Sequence, residues 1–227
     1  AVSWQLVPMF YLTPPIESRL RIRSLWALGL SITSTVVLLP LDRAGLLTEA
    51  DPGIIAAITM LPGVLVVWVI HPMSILHALR NRRRKRVDPS KDYWVAAMWT
   101  APVVLLTAIL TLWSTDPRWG LTFGWLAVWG WAGIAVHGML TRIVPFLVWF
   151  HRFSHQIGKQ EVPSVRKLYP ANYARRELWI HGASVAVGAC AIWIQAPYLV
   201  TLVGVLLLLT GASMLYSMVR ILRWRVS

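Results

Sequence analysis

The chain has 227 residues, 57% of them hydrophobic and only 14% charged, with a mean hydropathy of +0.59. A soluble domain is normally about 45–50% apolar and about 25% charged, so the composition excludes an ordinary soluble globule and indicates a polytopic membrane protein. The formal net charge of +13 sits on Lys and Arg between apolar stretches. With no aromatic-interleaved basic surface, it reports topology and anionic lipid contact and excludes a nucleic-acid partner.

In chain order, the first apolar stretch (residues 1–12) is shorter than the roughly 20 residues a spanning helix needs. It reads as the end of a truncated N-terminal span. The chain is therefore expected to be a single membrane domain over 1–227, the C-terminal part of a larger all-α helical bundle. Six full spans follow, at residues 23–41, 53–79, 93–114, 119–150, 177–195 and 198–223. The second and fourth exceed the usual length and are expected to tilt, kink or run on past the bilayer.

The connections alternate in charge. Arg19, Arg21 and Arg23, the run Arg80-Asn81-Arg82-Arg83-Arg84-Lys85-Arg86, the stretch 151–176, and Arg220, Arg223 and Arg225 are basic. Between them lie the turns with Asp42, Glu49 and Asp51, with Asp116, and with Gln195-Ala196-Pro197. Positive-inside bias then places every basic connection and the C-terminus in the cytoplasm, with the lipid bilayer of a bacterial inner membrane as the surroundings. Trp26, Trp94, Trp113, Trp119, Trp179, Trp193 and Trp224 fall near span ends, where Trp anchors at the interface. Trp125, Trp129 and Trp131 lie deeper and call for large-ring packing or a cofactor wall. The single cysteine, Cys190, reads as a small buried apolar residue, and no disulfide framework is available.

Ionisable residues inside spans are costly and are functional candidates by default. His71 and His137 each lie about 18 residues from the outer end of their spans, about 27 Å at 1.5 Å per residue. His181 lies about one turn inside the fifth span, counted from Glu177. The three are expected to form one layer in the cytoplasmic half. Neutral imidazoles ligate transition metals and haem iron. Small neighbours (Gly133, Gly138, Gly182, Ala183) would let a macrocycle approach, and Arg142, Arg175 and Arg176 could pair with its propionates. The same small residues also suit plain helix packing and hydrogen bonding. His151 and His155 are spaced i, i+4, so a continued helix would put both on one face for a divalent metal or a headgroup.

Other chemistry lacks support. No HExxH, CxxC, glycine phosphate loop or Ser-His-Asp order occurs, and no catalytic residue stands out. With Glu177 taken as the start of a span, no embedded carboxylate is expected, which weakens an ion-coupled transporter reading.

Two windows share a pattern: Gln5-Leu6-Val7-Pro8-Met9-Phe10 and Arg142-Ile143-Val144-Pro145-Phe146-Leu147. Both lie at the same end of spans running in the same direction, a possible internal repeat in which Pro kinks each helix. The stretches 6–14 (LVPMFYLTP) and 137–151 (HGMLTRIVPFLVWFH) resemble segments of bacterial inner-membrane proteins similar to subunit I of haem–copper oxidases and to the NnrS family. The resemblance implies a bundle of about a dozen spans when complete, haem held by membrane histidines, copper as a second metal, and a membrane redox partner. Of the histidines, His137 and His151 fall in the matched stretch. No adjacent His-His pair occurs, so the copper site of those oxidases is not reproduced. The expectation is a membrane haem or metal protein with a redox or gas-responsive role, with His137, His181, His71 and Arg142 toward the cofactor and His137, His151 and His155 toward a metal. A non-enzymatic membrane scaffold, or a transporter using Pro-kinked helices, is the alternative.

Overall fold

The computed structural model describes residues 2–45, 52–83, 88–159 and 161–223. Glu49, Asp51, Arg84-Lys85-Arg86, Trp224 and Arg225 lie outside the described residues. Helix is the only regular structure among them, in two compact units, Ala1–Arg86 and Val87–Ser227.

In the first unit, α1 (Val2–Tyr11) packs on α4 (His71–Arg80), and α2 (Ser18–Arg43) packs on α3 (Pro52–Leu65). A π-helical segment, Val66–Ile70, joins α3 to α4. Pro72 supplies a reason for it. In a straight α-helix its ring would press on the Trp68 carbonyl four residues back. The wider turn, closed by the His71 N–H bonding to the Val66 carbonyl, sits immediately ahead of that proline. Polar groups stitch the helices: Gly63 N–H donates to Ser31 Oγ at 2.8 Å, and Trp4 Nε1 donates to Ser74 Oγ at 2.8 Å.

The second unit comprises α5 (Pro89–Trp113), α6 (Pro117–Trp125), a π-helical segment Leu126–Gly133, α7 (Ile134–Phe153), a 3-10 turn Ser154–Gln156, α8 (Val165–Leu168), α9 (Ala171–Ile194) and α10 (Pro197–Leu222). The starts of α5 and α6 are capped by Asp88 and Asp116, each accepting from the backbone N–H two residues on. Gln195, left-handed at φ 55°, closes α9, and Pro197 opens α10. From α6 to the 3-10 turn the helix is continuous over 40 residues. At about 60 Å it is twice the thickness of a bilayer's hydrocarbon core. It approaches α9 closely where the Trp125 indole, donating to the Val185 carbonyl at 2.9 Å, lies over Gly188. A Cβ on Gly188 would overlap that ring.

Five helices among the described residues are long and apolar enough to cross a membrane: Ile58–Arg80, Pro89–Trp113, Pro117–Gln156, Ala171–Ile194 and Pro197–Leu222. The span read at residues 23–41 falls on α2, which is helical over 26 residues but is not among the five. Polarity is arranged as lipid requires. Trp26, Leu112, Trp113, Val128, Trp179 and Leu208 are exposed, while Ser24, Ser31, Thr107, Thr122, His137, Glu177, His181, Ser184, Thr210 and Ser217 are buried. Cys190, expected buried, is exposed, because it falls on the face of α9 that carries Trp179, Ala183 and Ala186, away from the buried stripe.

Candidate functional site

Helix α9 buries Ala174, Glu177, His181, Ser184, Val185, Gly188 and Ala191, a stripe at helical spacing, while Arg175, Arg176 and Trp179 are exposed. Helix α7 buries His137, Gly138 and Pro145. Where these stripes meet, His137 and His181 come together, with Nδ1 of one 3.1 Å from Nδ1 of the other and ring centroids 5.4 Å apart. His137 is 3% exposed, and Glu177 and His181 are 1% each, so bulk solvent does not reach these groups.

Each outward nitrogen has a partner. His137 Nε2 lies 3.3 Å from Glu177 Oε2. His181 Nε2 lies 3.1 Å from the Trp129 carbonyl. Glu177 also accepts from the Tyr169 hydroxyl at 2.8 Å and from the Ser217 hydroxyl. Around this row, the Trp129 ring stacks on His181 at 4.3 Å, and its Nε1 donates to Ser184 Oγ at 2.7 Å. Ser184 in turn donates to the His181 carbonyl. Tyr93 packs against the His137 ring at 4.9 Å and donates its hydroxyl to the Ala174 carbonyl. The Trp129 carbonyl belongs to the π-helical segment, and Gly133, one turn later, leaves room for the His181 ring. A Cβ there would stand 3.4 Å from His181 Nε2 and 3.3 Å from the Val128 carbonyl oxygen.

This row fixes a proton count. A carbonyl oxygen only accepts, so His181 Nε2 carries a proton. If both rings are neutral and Glu177 is ionised, one junction fails. Either two Nδ1 lone pairs face each other, or a His137 Nε2 lone pair faces the carboxylate. One additional proton satisfies every junction, and it can reside in three places: on Glu177, on His137 or on His181. In each case the three groups together are electrically neutral, which is the arrangement a low-dielectric interior tolerates. At the outer end of the row, burial and then the Glu177 carboxylate push the Tyr169 phenol well above its ordinary value, so it stays protonated and donates.

The other candidates have contacts of their own. His71, in the first unit, is 2.8 Å from Ser3 Oγ through Nε2, and its ring tilts against Trp4. Arg142 pairs with Asp88 at 3.0 Å. His151 and His155 are both exposed; His151 Nδ1 donates to the Leu147 carbonyl, and α7 ends at Phe153, so His155 falls in the 3-10 turn. No group of three or more His, Cys, Asp or Glu positioned to hold a metal ion occurs among the described residues.

Glu177 corrects the sequence reading. It was placed at the mouth of a span, with no carboxylate expected inside one. It lies instead two turns into α9, a buried member of the His181 stripe, because the helix starts at Ala171. The signal was present: Ala174, Glu177, His181, Ser184 and Gly188 fall on one helical face, away from Arg175 and Arg176. Compared with protein-family models, with curated proteins and with solved structures, the chain has no match.

Proposed function

We propose that this chain is a proton-handling membrane protein, in which Glu177, His137 and His181 hold one transferable proton inside the second unit. The observation that carries this reading is the continuous buried row from the Tyr169 hydroxyl through Glu177, His137 and His181 to the Trp129 carbonyl. Hydrogen-bonded carboxylate and imidazole groups within a membrane are the usual material of proton relays. A cavity of about 10 Å³, about one water probe in size, borders His137, Tyr169, Glu177 and Ser217. A further span at residues 23–41, making six, a bacterial inner-membrane location, and a cytoplasmic C-terminus with the Tyr169 end on the same side complete the proposal, on the positive-inside pattern.

The test is charge displacement after a pH step, with the protein adsorbed on a supported membrane. The wild type is expected to give a transient current that Glu177→Gln abolishes. Equal currents from the two proteins, or none from the wild type, overturn the reading.

A bound metal or haem with a redox or gas-responsive role, serving a membrane redox partner, is the second reading. It is favoured by the convergence of two Nδ1 atoms whose rings are each anchored at Nε2, on a carboxylate and on a backbone carbonyl, the usual outer partners of ligating imidazoles. The rings as placed fit a proton. A metal–imidazole bond of about 2.0–2.1 Å separates two ligand nitrogens by about 3.4 Å at a tetrahedral ion and by about 4 Å in line, so the pair must open from 3.1 Å. Metal analysis and an absorption spectrum of the purified protein test it. A metal or haem signal lost in His137→Ala supports this reading, and a metal-free, colourless preparation removes it.

A further inference from the structure

Beside the proton row lies a cleft of about 200 Å³, lined in part by Ser90, Thr141, Arg142, Arg166 and Tyr169. Its charges are unequal. Asp88, also on its wall, accepts from Ser90 N–H at 3.2 Å and from Ser90 Oγ at 2.6 Å, and it pairs with Arg142 at 3.0 Å. That carboxylate is thereby committed to capping α5 and to fixing the Arg142 guanidinium. Arg166 enters no ion pair among the described residues. Two guanidinium groups against one carboxylate leave the cleft one positive charge in excess, while the Ser90, Thr141 and Tyr169 hydroxyls on its walls donate to Asp88, to the Gly138 carbonyl and to Glu177.

We infer that this cleft binds a small oxyanion, a carboxylate or phosphate group, with Arg166 as its principal partner. A planar guanidinium donates two parallel N–H bonds to such a group, and Arg is the residue suited to bidentate carboxylate and phosphate recognition. Tyr169 lines both this cleft and the small cavity beside Glu177, and its hydroxyl bonds Glu177 directly. An anion seated in the cleft would therefore lie one side chain from the transferable proton. The binding claim stands on the cleft itself. Only the anion's role as the proton's co-substrate rests on the proton reading above.

The chemistry is shared by free oxyanions and by lipid phosphates, and the experiment separates the two. Inorganic phosphate and acetate are titrated by calorimetry onto the whole chain in nanodiscs of phosphatidylcholine, and the pH-step current is measured on the same samples. Discs with added phosphatidylglycerol report lipid binding by the shift in unfolding temperature. Wild type is expected to bind a free anion, with Arg166→Gln weakening binding about 10- to 100-fold, the value of a charge-assisted hydrogen bond. Arg166→Lys should recover part of it. A stabilisation by phosphatidylglycerol alone, lost in Arg166→Gln, identifies a lipid headgroup as the oxyanion. No anion or lipid effect in the wild type, or binding unchanged in Arg166→Gln, overturns the inference. Those outcomes leave the pH-step current untouched, so failure of the cleft and failure of the proton row are told apart.

Discussion

Replacing Glu177 separates two roles of its carboxylate, accepting hydrogen bonds and holding charge. In Glu177→Leu the Tyr169 hydroxyl, the Ser217 hydroxyl and His137 Nε2 all lose their partner inside the bundle. Each buried polar group left unsatisfied costs about 1–3 kcal/mol, so the loss is about 3–9 kcal/mol, comparable with the roughly 5–15 kcal/mol that holds a typical domain folded. Glu177→Gln keeps the shape and one acceptor oxygen. Its amide donates to His137 Nε2, His137 donates to His181, and His181 donates to the Trp129 carbonyl, so the row closes without the additional proton. At most the Tyr169 hydroxyl must reorient, for a cost of about 1 kcal/mol. Thermal unfolding in detergent, followed by circular dichroism, ranks the three proteins. The expected order is wild type, then Glu177→Gln close behind, then Glu177→Leu far below. Equal unfolding temperatures for Glu177→Leu and wild type, or for Glu177→Gln and Glu177→Leu, would refute the hydrogen-bond assignment.

Other expectations follow from the same packing. Gly133→Ala places a methyl between the Val128 carbonyl and His181, and about 1–3 kcal/mol of overpacking is expected, measured as a lowered unfolding temperature. Asp116, held below the usual carboxylate range chiefly by the Arg118 side chain, stabilises α6 above its unfolded pKa of about 3.9. That contribution is lost as pH falls through the lower folded value. The stability gap between wild type and Asp116→Asn should therefore close in acid, and a gap that widens there would contradict the pairing.

Much of the helical layout was legible because lipid imposes a simple rule on composition and length. The breaks at Pro117 and at Gln195-Ala196-Pro197, and the overlong fourth span, can be read directly as caps, turns and a 40-residue helix. Glu177 was hidden for a specific reason. It follows two arginines, and a charged run reads as a span boundary, whereas helical rotation puts Arg175 and Arg176 outside and Glu177 inside. The tie between Trp129 and Ser184 was also out of reach, since the two residues are 55 positions apart and meet only through the packing of separate helices. The π-helical segments leave a fainter trace. Pro72 gives a reason for the first; for the second, Gly130 and Gly133 permit the close contacts, but no residue in it dictates the wider turn.

The central claim is that two imidazoles are joined through their Nδ1 atoms by a single proton, and nitrogen-15 NMR of histidine-labelled protein examines that junction directly. The account expects a coupling across an N–H···N hydrogen bond between one nitrogen of His137 and one of His181, assigned by its loss in His181→Gln. Spectra in which both rings are hydrogen-bonded only to other partners, with no such coupling, would contradict it.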